Sequence, residues 1–416
     1  MNAPPSSAPV PGAPASGLGG AIPARPGEAS AGLVVTLSAL TAFGPFSIDT
    51  YLPALPAIAD SFGGNAGAVQ LTLSAFFVGF GAGQLIYGPA SDRWGRKPPL
   101  LAGIGLFVFT SALCALSTSA GALIVLRLLQ GLGACAGPLI ARAMVRDLYD
   151  RDRAARMLSV MMLVMGAAPL LAPLLGGQLM LVAGWRSIFW FQAGFGVVCS
   201  LAGWLGLTET LEEAKRSRAS LKGMIAGYGT MLRNRAYLGY VLTSGAAWAG
   251  LFAYFAGSPF VFIRLYRIPA QHYGFLFALN VAGLMIGAAL NSRLVLRYGS
   301  DRLLHYGVAS VAVASCVLGV AAFTGWGQLP GLVIPILAFI SSLSFIGANA
   351  MAGALTAFPH MAGTASALAG TIQFGLGALS GAAAGALYNG TAVPMAVVIA
   401  LAGLASFLAH RLMVRT

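Results

Sequence analysis

At 416 residues, 58% of them hydrophobic and only 8% charged, the chain departs from an ordinary soluble domain, in which about a quarter of residues carry charge. Its net charge of +13 would suit a nucleic-acid binder, but the basic residues gather in alternate breaks between long apolar runs, which is a membrane-topology pattern and argues against that partner. Apolar stretches of about 20 residues, each long enough to cross a bilayer as a helix, recur down the whole length, so the sequence reads as an all-α integral membrane protein seated in a lipid bilayer.

Residues 1–31 are rich in Pro, Ala, Gly and Ser and read as a disordered tail. The apolar run that follows comes too late for a signal peptide and leads into a full span. Twelve spans are expected, at 32–53, 69–90, 98–117, 121–143, 157–182 and 187–208, then at 236–258, 271–292, 303–323, 330–352, 364–388 and 392–412. The longest polar break, 209–235, separates an N-terminal six-helix bundle at 32–208 from a C-terminal one at 236–416. With the N-terminus placed in the cytoplasm, 20 of the 24 Lys and Arg residues fall on the cytoplasmic side, and both termini lie there.

The first span carries Ser47-Ile48-Asp49-Thr50-Tyr51-Leu52-Pro53-Ala54-Leu55-Pro56. Asp49 is the one carboxylate of eleven acidic residues placed inside an apolar segment. Buried charge in lipid is expensive, so such a carboxylate is a functional candidate; the bland account is an Asp that pairs with an Arg to lock two helices. The loop after span two reads Gly88-Pro89-Ala90-Ser91-Asp92-Arg93-Trp94-Gly95-Arg96-Lys97. Asp92 can pair with Arg96 one turn away, and Asp147 at the end of span four can receive Arg96. The break after span eight, Ser292-Arg293-Leu294-Val295-Leu296-Arg297-Tyr298-Gly299-Ser300-Asp301-Arg302, repeats the Arg-x-Gly element weakly and suggests a duplicated architecture. Span four holds Arg127 in Arg127-Leu128-Leu129-Gln130-Gly131-Leu132-Gly133-Ala134, whose small residues suit close helix packing better than a nucleotide loop. At 1.5 Å per residue, Asp49 lies about 25 Å along span one and Arg127 about 9 Å below the opposite face, similar depths in a core of about 30 Å, so the two are expected to pair. Span five holds Ala168-Pro169-Leu170-Leu171-Ala172-Pro173-Leu174-Leu175-Gly176-Gly177. No Walker-type phosphate loop is present, so no nucleotide motor is expected, nor any cofactor, metal or enzymatic reaction.

The Gly88–Lys97 loop resembles the loop signature of the major facilitator superfamily, and the Arg127 run resembles the second signature of that family. Together with Ser47–Pro53 and Arg142–Tyr149, these stretches resemble the Bcr/CflA branch of drug:proton antiporters. The resemblance implies twelve helices in two pseudo-symmetric bundles, working as a monomer in a bacterial inner membrane. It also implies efflux of small, mostly apolar drugs of the amphenicol or bicyclomycin class against protons, with Asp49 and Arg127 as the proton-coupling pair. It gives Asp92 and Arg96, with Arg93 and Asp147, the role of a conformational switch that holds the inward-closed arrangement. It matches Pro173, Gly176 and Gly177 to the family's antiporter helix, with alanines at 168 and 172 where the family has glycines. Some related exporters carry a second acid two turns before Asp49; here that residue is Thr41. Aromatic and Met side chains expected to line a drug cavity are Phe43, Phe46, Tyr51, Met165, Trp248, Tyr254 and Phe255, with Gln373 as a polar candidate. For each, core packing is the plainer account. A transporter of a defined metabolite on the same fold is the alternative, and a channel is a more distant one.

Overall fold

The computed structural model describes residues 31–216 and 221–414; residues 1–30 of the tail expected at 1–31, and Arg218 and Arg415 of the expected basic belt, lie outside them. Backbone polar groups inside a bilayer must be satisfied within their own segment, and every regular element among the described residues is accordingly helical. The first six spans comprise a broken one, α1 (Ala31–Thr41), α2 (Phe43–Asp49) and α3 (Leu55–Ser61), followed by α4 (Ala66–Trp94), α5 (Lys97–Ala115), α6 (Ala120–Leu148), α7 (Arg151–Ala183) and α8 (Arg186–Gly206). After α9 (Leu221–Arg233) come α10 (Arg235–Pro259), α11 (Ala270–Tyr298), α12 (Ser300–Thr324), α13 (Gln328–Thr356), α14 (Ala362–Ala386) and α15 (Val393–Met413). Eleven helices are long and apolar enough to span, and the bent first segment makes twelve. Short polar side chains start several of them: Asn65, Ser119, Asp150 and Asn234 each accept a backbone N–H of the first turn.

Two expectations need correction. The first span is not one straight helix: it bends by 43° and runs on to Ser61. The bend lies between Thr41 and Phe43, where Pro45 has no N–H for the Thr41 carbonyl; a second interruption follows where Pro53 has none for the Asp49 carbonyl and a 3₁₀ turn, Leu52–Ala54, takes over. The break at 209–235 is also not merely polar; it contains α9, whose Met231 is buried against a cluster that includes Tyr237, Ala365 and Leu368. The internal repeat has a structural echo. Gly95 (φ +91°) ends α4 and Gly299 (φ +80°) ends α11, and each turns the chain into the next span in a backbone region that suits glycine.

The two halves touch along two seams, α4 against α14 and α7 against α11. Along the first, Gly67 meets Gly385, Phe77 packs on Phe252 and Phe374, and the Thr371 hydroxyl donates to the Gly81 carbonyl. The seam ends near Gln84 and Gly370. Asp60 and Arg264 form an ion pair between the halves at the end away from the basic loops. At the basic end, α7 buries only Ala154, Met157 and Met161 over its first three turns, one face of the helix. The halves therefore meet at the far end and part toward the basic end.

Candidate functional site

The centre of the molecule is built on the break in span one. Below it, the Tyr51 N–H turns to the Ile48 carbonyl at 3.2 Å, which leaves the Ser47 carbonyl without a helical donor. Arg127, wholly buried, supplies the donors: its Nη1 and Nη2 both lie 3.3 Å from that carbonyl. The guanidinium also sits 4.4 Å from the ring centroids of Tyr51 and Phe76, and Nη1 donates to Gln130 Oε1 at 2.6 Å. Gln130 in turn donates to Ser111 Oγ and to Gln192 Oε1. Gln192 closes the network, its Nε2 donating to Thr50 Oγ1 at 3.0 Å and reaching the Phe46 and Ser47 carbonyls at 3.4 Å. A cation at the negative end of α2, reinforced by two rings and two amides, is a helix cap.

Arg127 does not pair with Asp49. Among the described residues Asp49 joins no ion pair, although it is only 3% exposed. The reason is geometric: Asp49 lies two residues beyond Ser47, about 200° around the helix, so a cap on the Ser47 side leaves Asp49 on the other. That other side faces the second half. The 3₁₀ turn beside Asp49 packs on α10 and α11.

The expected switch forms a compact cluster at the basic end. Arg96 Nε donates to Asp147 Oδ2 at 2.7 Å, and Arg96 Nη1 bonds Asp92 and Ser91. Burial works against the Arg96 charge, but hydrogen bonds and attraction from Asp147 and Asp92 win, holding its pKa above the usual value. Arg93 is exposed and stands outside these contacts. A residue beyond the predicted set completes the cluster: Glu209 accepts the N–H groups of Arg96 and Lys97 at 2.8 and 3.0 Å, capping the start of α5. Burial raises the Glu209 pKa, yet backbone donors from Arg96, Leu211, Lys97 and Thr210 outweigh it and hold the carboxyl below the ordinary range. Lys97 Nζ returns the favour by capping the end of α8 at the Trp204 and Leu207 carbonyls. A side chain at Gly95 would meet the Glu209 carboxylate at 2.5 Å. Asp92 remains 53% exposed; Asp92, Arg96 and Asp147 belong to the first half, and Glu209 opens the segment that follows it.

On α7, Pro173 and Gly176 are buried, as are Ala168 and Ala172. A Cβ at Gly176 would collide with the Thr50 carbonyl, and one at Gly177 would lie 2.8 Å from Gln271 Cα of α11. The paired glycines thus let α7 press against the broken span and the second half at once.

The expected cavity residues separate into groups. Phe43, Phe46 and Tyr51 belong to the interior of the first half, Phe43 against Phe107 and Phe195, Phe46 against Phe191 and Phe195, and Tyr51 hydrogen-bonded to Thr72. Phe43 and Tyr51 are buried in this packing and Phe46 is half-buried. Tyr254 and Phe255 stack with Phe277 in the second half. Trp248 lies against Gly347, Gln373 borders a small cavity with Tyr240, Ser244 and Met351, and Met165 is 37% exposed on α7.

Known proteins fit this geometry. Residues 35–382 match the family model described as Major Facilitator Superfamily. The chain belongs to that superfamily. It is 35% identical to an uncharacterized MFS-type transporter, YdgK, of Bacillus subtilis (strain 168), over 90% of this chain and 93% of that protein. It is 30% identical to a bicyclomycin resistance protein homolog of Haemophilus influenzae over 91% of this chain and 94% of that one. It is also 30% identical to multidrug resistance protein D of Escherichia coli (strain K12) over 82% and 85%. A solved D-xylose-proton symporter shares the fold, with a TM-score of 0.70, 15% identity and coverage of 92% and 98%.

As a major facilitator the chain is a multi-pass membrane transporter rather than an enzyme, and the relatives place it in the Bcr/CflA-type branch that its motifs resemble. Two elements of this facilitator's site escaped sequence reasoning. Gln192 was masked by its neighbours, a Gln in an otherwise unremarked aromatic run, Phe189-Trp190-Phe191-Gln192. Glu209 looked like an ordinary loop acid; its place directly after span six, facing the loop signature in the expected topology, was the available signal.

Proposed function

We propose that the chain exports small, mostly apolar drugs in exchange for protons by alternating access, with Asp49 carrying the proton. The observation that carries the reading is Asp49 itself: it is the one buried carboxylate among the described residues, far from both ends of the bundle, and no cation pairs with it. An unpaired ionised carboxylate is expensive at membrane depth, so such a residue is kept for function. It stands at the break of span one, where the first half meets the second, so its charge state bears on how the halves fit. Arg127, Gln130 and Gln192 position it by holding the break in shape.

The distribution of Lys and Arg supports a cytoplasmic basic end, with both termini there, in a bacterial inner membrane. The bundles 32–208 and 236–416 rock against each other, joined by 209–235. Asp92, Arg96, Asp147 and Glu209 stiffen the cytoplasmic end of the first half, and Asp92, half exposed, is the member free to engage the second half when the cytoplasmic side closes. The pressing of Gly176 and Gly177 against the bend suits an exchanger, since it leaves no loose path beside Asp49. The names of the relatives, bicyclomycin resistance and multidrug resistance, point to the cargo, and the absence of a second buried acid among the described residues fits neutral or singly charged drugs.

The test is uphill drug uptake into inverted membrane vesicles driven by an imposed pH gradient. The original chain accumulates an amphenicol or bicyclomycin, whereas Asp49→Asn equilibrates it at most. Accumulation by Asp49→Asn equal to the original chain's overturns the reading.

A further inference from the structure

Among the described residues one ion pair joins the halves: Asp60 of α3 with Arg264, at the end away from the basic loops, the outer end of the proposed topology. The backbone aims Arg264 there. After α10 the chain makes a π-helical turn, Phe260–Leu265, in which the Tyr266 N–H reaches back to the Val261 carbonyl at 3.0 Å. The wider turn rotates Arg264 away from the direction an α-helix gives it, and such turns are frequent at functional sites. A run of contacts leads from the ion pair to the α4–α14 seam. The Arg264 guanidinium lies 5.9 Å from the Phe260 ring centroid, and the Phe260 ring lies 5.2 Å from that of Tyr388, just beyond α14. Tyr388 lines an open recess of about 480 Å³ together with Asn65, Gly67, Leu71 and Gly385.

Inward of the recess the seam is tight but unsatisfied. A Cβ at Gly67 would lie 2.9 Å from the Gly385 carbonyl, one at Gly385 would lie 2.9 Å from Gln70 Cβ, and one at Gly381 would lie 2.8 Å from Ser74 Oγ. Gln70 and Ser74 are 0% and 5% exposed, and neither the amide nor the hydroxyl has a hydrogen-bond partner in the protein. Water entering through the recess supplies those missing hydrogen bonds. The α7–α11 seam is built otherwise. Its glycine contacts are Gly177 on Gln271, Gly274 on Leu174 and Gly166 on Met285. Among the described residues no polar side chain of α7 is buried without a partner, and the one such residue on α11, Asn280, is turned to Tyr254 of α10. Wetting this seam would expose Leu174 and Met285 and satisfy nothing.

We infer that the outer side opens along one seam only. The Asp60–Arg264 pair is the latch, the Gln70–Ser74 stretch of α4 against α14 is the part that wets, and α7 against α11 stays packed as the pivot. The latch is partly exposed, Arg264 to 35% and Asp60 to 65%. Such a pair biases an equilibrium by only about two- to fivefold, which suits a contact that must release in every cycle. The inference rests on the reading of alternating access, and it is independent of Asp49 as the proton carrier.

Alkylation from the outer side tests it, in right-side-out vesicles carrying the full-length chain with Cys316, its exposed cysteine, replaced by Ser. Ser74→Cys and Leu174→Cys are each challenged with a membrane-impermeant maleimide. Ser74→Cys is expected to react and Leu174→Cys to stay protected; Gln70→Cys takes the place of Ser74→Cys should that variant fail to fold. Adding Asp60→Asn or Arg264→Gln should speed the labelling of Ser74→Cys about two- to fivefold. The swap Asp60→Arg with Arg264→Asp should return it to the original rate, a result that simple loss of packing would not give. Equal labelling of Ser74→Cys and Leu174→Cys overturns the single seam, and a rate unmoved by the Asp60 and Arg264 variants overturns the latch. If neither thiol reacts in protein that still transports drug, the gate lies elsewhere and the inference falls while the transport reading stands. If neither reacts and the original chain transports no drug, the transport reading falls and the gate with it.

Discussion

Arg127 caps the end of α2 at the second break of span one, and this makes its substitution informative. Its fork answers a freed carbonyl, and its flat face lies on Tyr51 and Phe76, roles that a lysine ammonium fills poorly. Arg127→Lys should cost about 1–3 kcal/mol, the price of a buried acceptor left short of donors, and appear as a lower thermal midpoint. Because no ion pair joins the two residues, adding Asp49→Asn should not rescue Arg127→Ala; the losses should add, and restored stability in the double variant would reinstate the pair. Glu209 gives a pH prediction with a definite sign. Its folded carboxyl is held below the ordinary value, so its contribution is present above the unfolded pKa, about 4.3, and is lost as pH falls through the folded one. Acid melting curves should therefore steepen below about pH 4 in the original chain and flatten in Glu209→Gln, and identical curves would remove the cap from the account. At this scale the sequence revealed the lone charges, since Asp49 and Arg127 stand out in apolar runs. It hid the pairing, because a helix rotation of two residues decides which way each faces. Gln192 and Glu209 stayed invisible because their partners, Thr50 and Arg96, lie 142 and 113 residues away.

The helices themselves were legible, since runs of apolar residues between basic breaks mark spans almost without ambiguity. The bend was written in Pro45, Pro53 and Pro56, but its angle depends on how α7 and α8 pack on it. The helix at Leu221–Arg233 was obscured by its charges, because an amphipathic helix lying beside a membrane lacks the apolar length of a span. Packing between helices was not legible at all, and the α4–α14 seam shows why. Gln70 is fully buried there with neither amide atom hydrogen-bonded within the protein, and the Ser74 and Ser380 hydroxyls share that condition. Buried polar groups without partners cost about 1–3 kcal/mol each, and opening the seam to water relieves the cost. These residues keep the closed seam from being too stable to part. Gln70→Leu should raise the thermal midpoint and slow drug turnover; a variant that is less stable and equally fast would contradict this.

Across the whole molecule the two halves are clasped at the end away from the basic loops by the Asp60–Arg264 pair and by the glycine contacts of α7. The duplicated Arg-x-Gly loops place Gly95 and Gly299, both at positive φ, at equivalent points at the basic end of the two halves. A carrier of this form needs one event that tells the two arrangements apart, and in the proposed mechanism the neutralisation of Asp49 supplies it. On that proposal drug and proton compete for one arrangement of the site, and drug binding expels the proton. The most direct measurement mixes the purified protein with an amphenicol in weakly buffered solution containing a pH indicator. The original chain should release protons on binding, and Asp49→Asn should bind the drug and release none. Equal proton release from both proteins would place the coupling elsewhere and contradict the account.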